Sequence, residues 1–408
     1  MLKNKTVVLG VTGSIAAYKM ANVASMLVKL HADVHVIMTK NATNFINPIT
    51  FETLTGNKCL VDTFDRNFQF NVEHVALAKR ADIFMVAPAS ANIIGKIACG
   101  IADDMLSTTI MAAKCPKLIA PAMNTNMLEN PIVCDNIKKL QSYGYAIIES
   151  ANGYLACGDT GRGKLPEEKL LVAYILKYIA KEKDMQGCKV LVTAGPTMEA
   201  IDPVRFISNH STGKMGYAIA KQAMLRGAEV TLITGKVSIE PPEFVKVVNV
   251  MSAQEMYDAV ASCSAEQDII IKAAAVADYR PSSVSNEKIK KTDGDMNIPL
   301  VRTKDILAFL GEQREEARKA GKNDRLANQT ICGFSMETQD VLENSVKKLT
   351  KKKIDMIAAN NLKTEGAGFG TDTNVLTLIT QEQNIELPQM SKEECADRLL
   401  TRLMEMRK

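Results

Sequence analysis

The residues whose types and spacing can do chemistry fall into two sets, one in each half of the chain. In the second half, residues 193–216 read TAGPTMEAIDPVRFISNHSTGKMG and join an apolar strand pattern at 188–192 to a helical pattern at 217–226. A strand, a Gly/Pro turn, a polar loop and a helix opening on small residues form a cradle for an anion. Helix-start N–H groups are unpaired, and the helix dipole favours negative charge there. In this loop Arg205 offers a cation, and Asn209 is either a working amide or a turn residue. Asp278 follows an apolar strand at 269–271 and can hold Mg²⁺, hold a ribose hydroxyl or cap a turn. Lys288 opens the basic run KIKK, which either neutralises charge on phosphates or lies on a solvated strand edge. Lys348 and Lys352, at i and i+4, share one helix face, again solvated or facing phosphate. There is no GxxxxGK[ST] sequence, so a nucleotide here is not held by a P-loop.

In the first half, the turn Gly13-Ser14 presents N–H and hydroxyl donors, and Thr39 closes the second strand. Pro88-Ala-Ser90-Ala-Asn92 follows the third strand at its carboxyl end, where open α/β sheets bind ligands. Together these residues form a nucleotide or flavin site. His74, one of four histidines, lies just before a helical stretch at 75–79. It is either satisfied by backbone or is an acid/base or carboxylate-binding group. Asn124, after a buried strand, either caps the next helix or holds a carboxylate or carbonyl. Cys157 sits in the Gly-rich run ACGDTGRG, either as a proton donor or nucleophile or as an incidental surface thiol. Cys99 and Cys115 read as core thiols.

The elements that must position these groups alternate along the chain. Strands are expected at 6–10, 34–38, 83–87, 118–120 and 145–148, with helices at 15–30, 104–113 and 169–181. A charged segment ending at Gly187 then reads as a linker, giving domains over 1–186 and 187–408. The second half restarts with strands at 189–192, 230–233, 245–248, 269–271, 330–334 and 356–358. Residues 311–328 and 365–372 read as surface loops. Short apolar runs between helical stretches indicate parallel sheets covered on both faces, so the fold class is α/β with two Rossmann-like domains.

Composition narrows the function. The 408 residues carry a net charge of only +4, which marks no nucleic-acid partner. No apolar span of about 20 residues predicts a membrane helix. Nine scattered cysteines without CxxC spacing suit reduced thiols in the cytoplasm.

Specific motifs sharpen the reading. GSIAAYK (13–19), PASAN (88–92), PAMNTNM (121–127) and ACGDTGRG (156–163) resemble the flavin-dependent cysteine decarboxylases. TAGPT, DPVRFISNHSTGKMG and AAAVADYR are similar to phosphopantothenoylcysteine synthetases. In this order the two modules resemble the bifunctional bacterial enzymes of coenzyme A biosynthesis, over essentially the whole chain.

The resemblance implies an N-terminal flavoprotein domain with FMN against Gly13, Ser14, Thr39, Pro88, Ser90 and Asn92. His74 would act in decarboxylation, Met123 and Asn124 would bind substrate, and Cys157 would donate a proton to the enethiolate. It implies a C-terminal ligase domain with a CTP site built from Lys272, Ala273, Ala274, Asp278, Lys288, Thr303, Lys304, Asp305, Ile306, Phe334, Lys348 and Lys352. Mg²⁺ would sit at Asp278, and Asn209 and Arg205 would act on an acyl-cytidylate. Trimers of the first domain and dimers of the second would build a dodecamer. Three positions depart from the pattern: Leu128 stands where relatives often have Trp, Lys164 where the clasp commonly has Arg, and Thr303-Lys304 where many have Asn-Pro.

Two other readings compete. A generic NAD(P)-dependent oxidoreductase would need GxGxxG and an acidic residue ending the second strand; here stand Gly10-Val-Thr-Gly13 and Met38-Thr39. A flavoprotein regulator would show a degraded thiol clasp and leaves the second half unexplained.

Overall fold

The computed structural model describes residues 1–64, 73–156, 158–290, 296–337, 341–361, 368 and 370–407. Cys157, Lys291 and residues 365–367 and 369 of the Gly-rich run at 365–372 therefore lie outside the described residues. The chain divides into two compact units, Met1–Lys181 and Glu182–Lys408.

In the first unit five parallel strands, Thr6–Val11, Asp33–Met38, Ile83–Ala89, Lys117–Pro121 and Ala146–Ile147, stand in the order second, first, third, fourth, fifth. All six residues of the first strand are buried, because helices cover both of its faces. Val7, Leu9 and Val11 pack with Leu27 of helix Lys19–Lys29 and Leu171 of helix Glu168–Ile179. Val8 points the other way, into a second core with Phe84, Ile93 and Leu106. Two-sided burial explains the unbroken apolar run and contributes about 1.5–3 kcal/mol per large side chain. From the first strand the chain leaves to one side and then to the other. The crevice so opened lies at the strands' carboxyl ends.

The second unit carries an eight-stranded sheet, ordered Lys246–Asn249, Glu229–Thr234, Lys189–Ala194, Ile269–Lys272, Thr330–Glu337, Met356–Asn361, Leu376–Ile379, Asn384–Glu386. The first six strands are parallel; the last two are antiparallel, since the short connection between them allows only a hairpin. Arg226 holds the start of this unit in place. Its buried guanidinium donates to Asp184 and, on helix Lys392–Glu405, to Thr401 Oγ1 at 3.0 Å.

Three expectations are corrected. Residues 311–328 are not a loop throughout, because helix Ile306–Lys319 runs into them. Arg314 looks solvated by composition but is 3% exposed. Its guanidinium donates to the carbonyls of Gln329 (2.8 Å) and Lys353 (2.6 Å) and pairs with Asp355. A buried cation whose two terminal nitrogens are held in this way belongs to the core. Cys99 is exposed, since it ends helix Ala91–Cys99 where Gly100 turns left-handed, and Cys115 is only half-buried. Residues 288–290 form no strand edge; they lie in an irregular segment.

Gly163 sits in an antiparallel hairpin, Ala151–Tyr154 and Thr160–Lys164, at φ +124°. A Cβ there would lie 2.1 Å from the carbonyl oxygen of Met123, which is backbone and cannot swing aside. Gly100 is also left-handed but faces open space. Gly163→Ala is therefore expected to lower the first unit's stability by about 2–4 kcal/mol, and Gly100→Ala by about 1 kcal/mol. Denaturant midpoints check this, and equal losses in the two variants would contradict the steric argument.

Candidate active sites

At the carboxyl edge of the first unit's sheet, short polar contacts stitch the strand ends together. Thr12, buried, donates its hydroxyl to the Pro88 carbonyl at 2.7 Å and accepts from the Ser90 N–H at 3.0 Å. Ser90 and Ser14 each cap the helical turn that follows them. A Cβ on Gly13 would meet Asn41 Cβ at 2.8 Å, so the first turn lies against the end of the second strand. There Thr39 donates its N–H to Val11, and its buried hydroxyl has no partner among the described residues. An orphaned hydroxyl at a sheet's ligand-binding edge is an observation that fits a bound polar group.

A cavity of about 350 Å³ opens beside this edge. Its lining joins Ser14 and Lys19 to Met123, Asn124, Tyr154 and Lys164. The hairpin reaches it by packing on the loop after the fourth strand. Met123 N–H donates to Gly163, and the Thr125 hydroxyl donates to the Arg162 carbonyl at 2.7 Å. Asn124 caps helix Thr125–Leu128 through Asn126 N–H, and its amide donates to Asp159 at 3.3 Å. Leu128 is buried. Cys157, which falls between the hairpin's two strands in sequence, lies outside the described residues. His74 lies inside helix Glu73–Arg80, not before it as the sequence reading had it. Neither His74 nor Asn92 lines the cavity of its own chain.

In the second unit a cavity of about 400 Å³ is lined by Lys272, Asp278, Thr303, Lys304, Asp305, Ile306 and Lys352, together with Val276, Tyr279 and Arg302. Lys272 ends its strand facing like charges. Burial first, then Lys352 and Lys348, push its pKa down to about 8, against the pull of Asp305 and Asp278. Asp305 caps helix Ile306–Lys319 and pairs with Lys352 at 3.1 Å. Burial alone would raise its pKa; the Ala308 N–H and Lys352 bring it below the ordinary carboxylate value. Lys304 lies over the Tyr257 ring, 4.5 Å from its centre. The Thr303 hydroxyl donates to the Ala277 carbonyl at 2.7 Å. Phe334 follows Gly333, which pairs with Lys272 in the sheet. Asp278 is exposed, and no cluster of three metal-ligating side chains occurs among the described residues.

Next to this cavity, Asn209 donates to the Ala275 carbonyl at 3.1 Å, which ties the loop of Arg205 to segment 273–278. Arg205 and Lys288 belong to that loop cluster and not to the cavity lining. The segment itself hangs on two buried hydroxyls: Thr193 accepts from Ala274 and Thr197 from Ala277. Sequence reasoning missed Thr12, Thr193, Thr197, Asp159 and Asp202. Each stands in or beside a quoted motif, but only the folded contacts give it a task. The unit's larger cavity, about 600 Å³ around Arg314, Arg318 and Arg402, holds arginines already paired with Asp355, Glu315 and Glu405, so volume alone does not mark the chemistry.

Comparison with known proteins agrees with this division. Residues 1–180 match the family model described as Flavoprotein. Residues 185–406 match the model described as DNA/pantothenate metabolism flavoprotein C-terminal domain. The coenzyme A biosynthesis bifunctional protein CoaBC of Bacillus subtilis is 47% identical over 396 residues, covering 96% of this chain and 95% of that protein. Its namesake from Haemophilus influenzae is 39% identical over 404 residues, covering 99% and 98%. A crystal structure of the C-terminal domain of a CoaBC protein is 41% identical, covers 55% of this chain and 98% of that one, and superposes with a TM-score of 0.45. With two sheet-edge sites on one polypeptide and near-full-length identity of this order, the chain belongs to the family of bifunctional coenzyme A biosynthesis enzymes, with a flavoprotein decarboxylase unit and a ligase unit.

Proposed function

We propose that the ligase unit joins 4′-phosphopantothenate to cysteine with Mg·CTP in the cytoplasm, and that the decarboxylase unit converts the product to 4′-phosphopantetheine with FMN. The observation that carries the ligase reading is the cation-lined cavity, where Lys272 and Lys352 flank the helix start capped by Asp305. These charges suit a triphosphate, and the helix start adds its dipole. Asp278 would hold the metal together with the nucleotide's own phosphates, as Mg²⁺ needs only one or two carboxylates. The substrate carboxylate attacks the α-phosphate and pyrophosphate leaves. Arg205 and Asn209 then hold the acyl-cytidylate while the cysteine amine displaces CMP. Lys288 offsets charge on the phosphates.

In the decarboxylase unit, Gly13, Ser14, Thr39, Pro88, Ser90 and Asn92 would hold FMN, and the orphaned Thr39 hydroxyl supports that fit. Bound flavin supplies a reversible two-electron sink that makes carbon dioxide loss from the cysteinyl carbon feasible. Asn124 and Met123 bind the substrate, and Lys164 offers a cation in place of the more common Arg. Cys157 returns the proton to the enethiolate. His74 is off its own chain's cavity; the trimer implied by resemblance, with flavin sites at subunit contacts, lets it serve a neighbouring copy.

Three outcomes are expected. Cys157→Ser keeps ligation but stalls decarboxylation before phosphopantetheine, since a hydroxyl is a far weaker acid; mass spectrometry showing normal output would remove Cys157 from that role. Asn209→Asp slows ligation on the order of 10²-fold with the flavin spectrum unchanged; an unaffected ligation rate takes Asn209 out of the site. A bound triphosphate raises the pKa of Lys272 again, so CTP binding takes up a proton at pH values between about 8 and 10.4. Affinity then falls by up to about tenfold per pH unit above 8. Calorimetry in buffers of unequal ionisation enthalpy measures the uptake, and no uptake at pH 9 contradicts this assignment.

A further inference from the structure

Asp202 lies in the Arg205 loop, outside the lining of the ligase unit's cavity, with a task that no step above uses. It is 3% exposed, yet every oxygen of its carboxylate is occupied. Oδ1 accepts from the N–H groups of Val204 and Arg205, both at 2.8 Å, closing the 201–205 turn. Oδ2 accepts from Arg205 Nη1 and from the N–H of Ile289, both at 3.2 Å. The other end of the Arg205 guanidinium donates Nη2 to the Ile289 carbonyl at 3.3 Å. One peptide segment, 84 residues on, is thus gripped at both its N–H and its C=O by an acid–base pair. A further bond, Ser285 N–H to the Ile201 carbonyl at 3.0 Å, fixes the same segment four residues earlier. Lys288 is the exposed neighbour of the gripped residue. Burial would raise the Asp202 pKa, but the three backbone N–H groups and Arg205 hold it below the ordinary carboxylate value. It is therefore ionised at neutral pH and grips with charge-assisted bonds, which are stronger than neutral ones.

We infer that Asp202 is a positioning residue for ligation: with Arg205 it clamps Ile289, and so sets the placement of Lys288 and the orientation of the Arg205 guanidinium together. The inference rests on the reading that Lys288 and Arg205 act in ligation. The clamp couples two groups that are far apart in sequence. Asp202→Asn keeps Oδ1 as the acceptor for the turn's two backbone N–H groups but replaces the other oxygen with an amide donor, which can accept from neither Ile289 nor Arg205. Misplacement of this kind typically slows a reaction on the order of 10²-fold.

The test uses the full chain. In the native protein the Ile289 amide is expected to exchange with deuterium at least about tenfold more slowly than that of Lys290. Equal exchange would overturn the clamp without any variant. In Asp202→Asn, trypsin is expected to cut after Lys288 and Lys290 about tenfold faster, while the unit's denaturation midpoint shifts little. Ligation should slow mainly in kcat, and adding Lys288→Gln should cost less in the Asp202→Asn background than in the native chain. Native trypsin and ligation rates in Asp202→Asn would overturn the inference, as would fully additive losses. If Asp202→Asn does not fold, the exchange measurement still decides whether the clamp exists. If Lys288→Gln alone leaves ligation intact, the role proposed for Lys288 fails, while accelerated cleavage would still report a clamp that positions Arg205.

Discussion

Both sites depend on one constraint: a parallel strand buried on both faces has no room for polar side chains until it ends. Thr6–Val11 and Ile269–Ile271 are covered by helices or neighbouring chain on each side, so their middles are apolar. Polar groups then concentrate where the strands stop, beside helix starts whose N–H groups lack partners. Thr12, Ser14, Thr39 and Ser90 gather at one such edge, and Thr193, Lys272 and Asp305 at the other. The two chemistries differ while the scaffolds that place them share this logic.

Electrostatics separate the two. The second unit's cavity holds Lys272 close to Lys352 and Lys348, like charges that the proposed triphosphate would offset. Asp305 prevents the repulsion from being complete by pairing with Lys352 at the helix start. The decarboxylase cavity is more apolar, with Met123, Tyr154 and Leu165 among its lining residues, and carries its cations at Lys19 and Lys164. That contrast fits a nucleotide triphosphate in one and a flat cofactor with a mostly neutral substrate tail in the other.

Much of this was legible in the sequence. The main parallel strands announce themselves as short apolar runs; the structure extends most of them by one to three residues, as at Ile83–Ala89 and Thr330–Glu337, and shortens the one expected at 145–148 to Ala146–Ile147. The helix at Ile306–Lys319 was not legible beyond its start, because composition cannot tell a solvated arginine from Arg314, whose donors meet two carbonyls and a carboxylate. The hairpin carrying Arg162 and Gly163 was hidden for a different reason: its strands are rich in Gly and polar residues and are held by contacts to Met123 and Thr125. Candidate site residues proposed to bind by their own side-chain type, such as Lys272 and Asn209, stand out in sequence. Those that act by holding backbone, such as Thr12, Thr193 and Asp202, do not, since their partners are 76 to 87 residues away.

The central claim is that one polypeptide performs CTP-dependent ligation and then flavin-dependent decarboxylation. Mass spectrometry of a single mixture of the purified chain with 4′-phosphopantothenate, cysteine, Mg²⁺ and CTP tests it most directly. The account predicts phosphopantetheine together with CMP and pyrophosphate, preceded in time by phosphopantothenoylcysteine. Absence of any nucleotide-dependent product would contradict the ligase assignment, and phosphopantothenoylcysteine that accumulates without conversion would contradict the decarboxylase assignment.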